Sequence, residues 1–289
     1  MGTSAWNKPH WRGHFYPPGH VQRRELEYAS DHLASLEINA TFHGLQEPKT
    51  FRDWRRRTPH GFVFSVKGSQ MVTHDQLLRN PAMNVANFLA SGPLALEEKL
   101  GPFLWQISEY LAFQPTVVEE FLAVLPHSID EARQLIEQYA TTSVNDRWMD
   151  APNRPIRHAF EVRHPSFSNP RFLELLRRYD VAIVVTNTPR WPEFRDITSD
   201  FAYVRLHGDV TTRPNGYSDA DLDEWATLIN GWLSGEGCAD GRGRDVFVYF
   251  DNPDNRGTRS PFDAIRLQER LDGPRRPRTE TPVQPALWG

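Results

Sequence analysis

Short apolar runs alternate with longer amphipathic segments along nearly the whole chain, and this alternation restricts the fold more than any other feature. Runs suited to strands lie at residues 36–42, 62–68, 102–107, 158–163, 181–186, 201–208 and 245–252. Helical patterns at 50–57, 81–100, 116–125, 170–179 and 220–233 separate most of them, with others at 21–33 and 261–271 before the first and after the last. Asn80-Pro81, Asn169-Pro170 and Ser260-Pro261 each put a capping residue before a proline at a helix start, and Ser218-Asp219-Ala220-Asp221 has the Ser-x-x-Asp form of a cap. Strands separated by helices pair in parallel through crossovers. Gly2–Ser4 supplies a short eighth strand at the very start of the chain. Eight such units predict an α/β fold, a closed TIM-type (β/α)8 barrel forming a single domain over residues 1–272. The connection after the sixth strand is irregular, since 190–199 reads as loop, and 129–140 reads as an extra helix inside the long 127–150 connection. The Pro-rich tail at 273–289 is expected to be poorly ordered.

Composition closes off several classes. A chain of 289 residues buries a sizeable core, and a net charge of −4 excludes a strongly basic DNA-coating protein. The single cysteine, Cys238, excludes a disulfide framework and reads as incidental. There is no internal repeat, no membrane-length apolar run and no signal peptide, so a cytoplasmic protein without membrane contact is expected.

Period-two alternation then assigns faces. With the apolar sets turned toward the helices, Glu37, Asn39 and Thr41 point inward from the second strand, Ser65 and Lys67 from the third and Gln106 from the fourth. Glu161 and Arg163 follow from the fifth, Arg205 and His207 from the seventh, and Tyr249 and Asp251 from the eighth. Barrel interiors are ordinarily filled by branched apolar side chains, so buried charges there must pair with each other or serve a ligand. Glu37, Glu161 and Asp251 balance Lys67, Arg163 and Arg205, and Glu37 with Arg163 is one candidate pair. Most of these residues lie late in their strands, at the end of a barrel where active sites form.

The same residues carry a family resemblance. Gly2-Thr3-Ser4-Ala5-Trp6, Phe15-Tyr16-Pro17, Glu37-Ile38-Asn39-Ala40-Thr41-Phe42 and Phe64-Ser65-Val66-Lys67-Gly68 with Thr73-His74 make up its first half. Lys99-Leu100-Gly101-Pro102 with Leu104-Trp105-Gln106, Phe160-Glu161-Val162-Arg163-His164-Pro165-Ser166, Tyr203-Val204-Arg205-Leu206-His207-Gly208 and Tyr249-Phe250-Asp251-Asn252 make up the second. On these motifs the chain resembles the YecE-like family, catalogued as domain of unknown function number 72, from Gly2 to about Leu271. The resemblance implies a TIM-type barrel and no particular activity. Asn187-Thr188-Pro189 stands where the family pattern has an Asp before Thr-Pro, which argues against a mechanism needing a carboxylate from that strand.

Three functions compete. The leading one is an enzyme, hydrolytic or isomerising, with a polar pocket at the mouth for a phosphorylated, sugar-like or nucleotide ligand. Its catalytic candidates are Glu37, Lys67, Glu161, His207 and Asp251, carboxylates paired with a lysine and a histidine for acid–base work. Arg163 and Arg205 suit phosphate or carboxylate recognition. Trp6, Asn39, Thr41, Phe42, His74, Gln106, His164, Tyr249 and Asn252 complete the ligand-binding set. Glu37, Glu161, His164, His207 and Asp251 are also ligand types for a divalent metal, the one cofactor considered, but no local metal motif accompanies them. The second function is nucleic-acid binding without turnover. It would use an aromatic cluster of Trp6, Trp11, Phe15, Tyr16 and Phe42 at the mouth, with His10, Arg12, Arg23 and Arg24 nearby. Arg52 and Arg55–Arg57 read as a solvated helix face, and Trp54 and Trp225 as core. In the third, the interior charges are a structural salt-bridge lattice.

Overall fold

The structure, a computed structural model, describes residues 1–141, 151–188, 190–208, 216–251 and 258–272. Eight parallel strands close into a barrel in sequence order: β1 (Gly2–Ser4), β2 (Ser35–Ile38), β3 (Val63–Lys67), β4 (Leu100–Gln106), β5 (His158–Glu161), β6 (Ala182–Thr186), β7 (Phe201–Leu206) and β8 (Asp245–Phe250). The three-residue β1 completes the ring, pairing Ser4 with Glu37 of β2 and Gly2 with Tyr249 of β8. Around the strands lie α1 (Glu25–His32), α2 (Ala40–His43), α3 (Pro48–Arg56), α4 (Pro81–Ala90), α5 (Pro115–Leu122), α6 (Ile129–Tyr139), α7 (Pro170–Arg178), α8 (Asp219–Ser234) and α9 (Ser260–Asp272). Between β6 and β7 the described residues form no helix. Among the described residues no helix is long and apolar enough to cross a membrane. The tail beyond Asp272 and the 142–150 segment lie outside the described residues.

Two cores hold the barrel. The larger lies between strands and helices and includes Leu36, Phe64, Trp105, Phe160, Trp54 and Trp225. The smaller fills the barrel with Leu104, Ala159, Ala182, Val184, Phe201, Tyr203 and Tyr249. Alternation along each strand produces this division, because successive side chains leave opposite faces of the pleat.

Local chemistry explains most element ends. Ser218 makes a full capping box with Asp221, and the Asn169 side chain accepts from the Arg171 N–H. Asn80 does not cap α4: it sits in the left-handed region at φ 48°, which asparagine tolerates, and its side chain makes no cap bond. Nor does Ser260 cap α9, since the helix already includes it and its hydroxyl is buried without a partner among the described residues. The helix expected over 81–100 is broken. Gly92 adopts φ 112°, and a side chain there would also strike Pro48, so α4 stops and a separate 3-10 turn runs from Pro93 to Lys99.

The largest departure is in the second strand, expected over 36–42. β2 ends at Ile38, Asn39 turns into helical conformation, and Ala40–His43 forms α2. The turn is tied by side chains: Asn39 Nδ2 donates to Ser4 Oγ, and Thr41 Oγ1 donates to the Lys67 carbonyl at 2.6 Å. Asn39 and Thr41 therefore do not continue the inward alternation of Glu37.

Candidate active site

The centre of the mouth is the Arg205 guanidinium. β7 delivers it into the barrel, and Glu37 from β2, Glu161 from β5 and Asp251 just past β8 converge on it. Nε and Nη2 reach the two Glu37 oxygens at 3.1 and 2.9 Å, Nη1 reaches Glu161 Oε2 at 2.7 Å, and Nη2 also reaches Asp251 Oδ2 at 2.6 Å. A planar cation with fork-like donors is the side chain best suited to several carboxylates at once. Tyr203 donates to Glu37 Oε2 at 2.7 Å, and Gln106 Nε2 donates to Glu161 Oε1 at the same distance. Burial, the largest single influence, pushes the Glu161 and Asp251 carboxyls up, but the surrounding positive charges together, Arg205 first among them, hold both well below the usual carboxylate range.

Beneath the guanidinium the interior turns structural. Tyr249 shares a hydrogen bond with Ser35, and Tyr203 with Ser65, both at 2.7 Å. Tyr249, expected to bind ligand, is thus fully buried below the mouth. Burial and the neighbouring Glu37 charge keep the Tyr203 phenol protonated.

Two groups differ sharply from this network. Lys67 ends β3 with 8 % exposure, its Nζ 4.2 Å from the centre of the Phe42 ring, and it makes no hydrogen bond or ion pair among the described residues. Burial, reinforced by Arg205, lowers its pKa to about 8. His207 is 3 % exposed and neither ring nitrogen has a hydrogen-bond partner among the described residues; Asp251 Oδ2 stands 3.7 Å from Nδ1. Burial, again with Arg205, lowers its pKa to about 4, so the ring is neutral near pH 7. Asn39 Oδ1 and Thr186 Oγ1 are also buried without a partner among the described residues.

Arg163 does not pair with Glu37. Its Nε reaches Glu161 Oε1 at 3.3 Å, and its guanidinium stacks 4.1 Å from the Trp191 ring, whose edge meets His207 at 5.0 Å. His74 lies beside Phe42, bonded through Nδ1 to Thr73. His164 turns back to its own loop, where Nδ1 accepts from the Ser166 N–H. Asn252 lies outside the described residues.

The expected aromatic mouth does not form. Trp11, Phe15 and Tyr16 are buried, with Phe15 packed on Tyr28, His32 and Phe262 between α1 and α9. Trp6 packs on Trp54 and Phe64 in the outer core. Only Phe42 of the five faces Lys67. Of the basic groups expected nearby, Arg12 pairs with Glu25, while Arg23 and Arg24 are exposed; on the helix face, Arg55 pairs with Glu97 and Glu98, and Arg57 with Glu27 and Asp53.

Among the described residues no three His, Cys, Asp or Glu side chains are placed to hold a metal. The physical reason is local, since the guanidinium occupies the point on which the carboxylates converge. Cys238 is buried and free, its thiol facing the Trp232 carbonyl.

Sequence reasoning missed Ser4, Tyr203, Thr186 and Trp191. The first three were readable, because Ser4 is level with Glu37, Tyr203 lies two residues before Arg205, and Thr186 two after the inward Val184. Trp191 lies in an irregular connection, where no periodicity points to it.

A parallel eight-stranded barrel with a buried ion network at the C-terminal ends of its strands defines a TIM-type barrel protein with a polar mouth. Within that class the chain belongs to the family described as Protein of unknown function DUF72, whose profile matches residues 1–286. It is 23% identical over 297 residues to the UPF0759 protein YunF of Bacillus subtilis (strain 168), covering 94% of each chain. The fold is similar to a crystal structure of a DUF72 family protein from Thermotoga maritima, with TM-score 0.69, 22% identity, and 93% of this chain and 97% of that one covered. A DUF72 family protein from Enterococcus faecalis gives TM-score 0.60 at 18% identity, covering 85% and 92%.

Proposed function

We propose that the protein is an acid–base enzyme, hydrolytic or isomerising, that takes a small phosphorylated or sugar-like ligand at the C-terminal mouth of the barrel. One contrast carries the reading. Arg205 makes four hydrogen bonds to three carboxylates, whereas the side chains of Lys67 and His207, almost as deeply buried beside it, have no hydrogen-bond partner among the described residues. Buried polar groups are normally paired, and leaving one unpaired is costly, so such groups mark a place where something else binds. The ion network is then the scaffold, and Lys67 and His207 are the groups left to meet substrate. Arg163, held among the described residues by a single side-chain hydrogen bond and stacked on Trp191, supplies positive charge for an anionic substituent.

A thermal-shift screen against sugar phosphates, nucleotides, short oligonucleotides and divalent metals tests this. A sugar phosphate is expected to raise the melting temperature of wild type and to leave Lys67→Ala and His207→Ala unmoved. Stabilisation by oligonucleotides alone, in wild type and variants alike, would refute the reading.

A further inference from the structure

We propose that Lys67 is a carbonyl-trapping amine: a small aldehyde or ketone bearing an anionic group enters the mouth and forms an imine with Nζ. The inference rests on the acid–base reading above and names its substrate class.

The protein contains its own control for what a structural buried lysine looks like. Lys99 is 5 % exposed, and its Nζ donates to the Arg55 carbonyl at 2.6 Å, the Thr58 carbonyl at 2.6 Å and the Thr58 hydroxyl at 3.1 Å. Among the described residues the Lys67 ammonium makes no such bond, and it lies against a ring face. Three carboxylates share its mouth, and all three turn to Arg205 instead. A lysine kept for charge balance would sit in contact with one of them.

The residue type is informative too. The chain has 29 arginines and only four lysines, at positions 8, 49, 67 and 99. Arginine serves wherever this mouth needs a fixed cation, as at 163 and 205. An amine differs in one property: it can lose its proton and present a lone pair. Burial and the Arg205 charge favour that loss, lowering the pKa to about 8. Gly68 follows directly, and a side chain there would strike the Trp105 ring at 2.4 Å, so the strand end that aims Lys67 is pressed flat on the core.

The chemistry balances without a redox partner. The neutral amine attacks the carbonyl carbon and forms a C–N bond while the carbonyl π bond breaks. The carbinolamine then loses its C–O bond as water, which carries the carbonyl oxygen, one proton from the amine and one from solvent. The product is a protonated imine, a cation that the field of Glu37, Glu161 and Asp251 stabilises. Arg163 over Trp191 meets the anionic substituent.

The full chain, incubated with dihydroxyacetone phosphate or uncharged dihydroxyacetone and reduced with sodium borohydride, tests the proposal by peptide mass mapping. Hydride reduces the imine to a stable secondary amine. One adduct is expected, at Lys67, favoured roughly tenfold over the exposed Lys49, stronger with the phosphate ester, and rising with pH around 8. Lys67→Arg keeps the charge and should give no adduct while its circular dichroism stays unchanged. Adducts spread over Lys8 and Lys49 by exposure, or no adduct at all, would overturn it. The melting temperature with the same probe separates the two readings. Stabilisation that disappears in His207→Ala, without trapping, sinks the imine and keeps the mouth as a site; neither stabilisation nor trapping sinks both.

Discussion

Arg205 grips Glu37 through two hydrogen bonds, Nε to Oε2 at 3.1 Å and Nη2 to Oε1 at 2.9 Å, and both side chains are completely shielded from solvent. The two residues come from β7 and β2, across the barrel from each other. Removing one member of a buried ion cluster strands the others, which costs more than the interaction itself is worth. Arg205→Leu leaves Glu37, Glu161 and Asp251 facing one another, and is expected to lower stability by at least about 3–5 kcal/mol in urea unfolding. Tyr203→Phe removes the bond to the Glu37 carboxylate and the one shared with Ser65, and should cost about 2–4 kcal/mol.

Lys67 is expected to behave in the opposite way. Its folded pKa of about 8 lies below the ordinary 10.5, so below pH 8 the fold carries a buried charge that the unfolded chain solvates. Between pH 8 and 10.5 the unfolded chain holds a proton that the folded chain has lost, and wild-type stability rises with pH. Lys67→Met should therefore be the more stable protein at pH 7, by up to about 3 kcal/mol, with the difference vanishing above pH 10.5. Urea midpoints across that pH range check it. A variant that is less stable at pH 7 would make the lysine structural.

Acid should weaken the fold early. His207 and His158 have folded pKa values of about 4 and about 3, both depressed from 6.5 mainly by burial. As pH falls below 6.5 the unfolded chain takes up protons that these rings refuse, so stability falls. Glu161 and Asp251 are also depressed, and their contribution is lost in turn as pH drops below their unfolded values of 4.5 and 3.8. Stability should decline steadily from about pH 6.5, and His207→Leu should flatten the part of the curve between 6.5 and 4. Imidazole nitrogen shifts of His207 that titrate above pH 6 would contradict this.

Arg163 offers a test of the anion pocket that leaves the central cluster intact. Arg163→Lys keeps the charge but loses the planar face stacked 4.1 Å from Trp191. Cation–π contacts contribute about 0.5–2 kcal/mol, so the ligand-free melting temperature should fall by a few degrees, and stabilisation by a sugar phosphate, read from each protein's own ligand-free value, should shrink with the loss of the fork-like donors. Equal stabilisation of wild type and variant would place the anion elsewhere.

Much of this site was readable from strand alternation. Glu37, Lys67, Glu161, Arg205 and Tyr249 all lie on the inner face, as period-two reading of their strands requires. The reading fails where strands end. Asn39 and Thr41 continue the alternation on paper, but side-chain bonds to Ser4 and to the Lys67 carbonyl turn that segment into α2. Those bonds join β2 to β1 and β3, and no local pattern in 36–42 announces them. The aromatic N-terminal segment misled for a related reason. Its composition suits a stacking surface, yet Phe15 found ring partners on α1 and α9 and Tyr16 on α1, elements far apart in the chain, with Trp11 packed against both rings.

The sequence by itself determined the architecture and the charge set. Strand–helix alternation favours parallel pairing, and eight such units suit a barrel, whose inward residues follow from a period of two. Tertiary structure alone decided which charge meets which. Residues 37, 161 and 251 reach one guanidinium only because barrel closure brings β2, β5, β7 and β8 around a common axis. The same closure leaves the Lys67 and His207 side chains buried and without a hydrogen-bond partner among the described residues, since distances across a barrel depend on how its strands are tilted and staggered, which no spacing along the chain encodes.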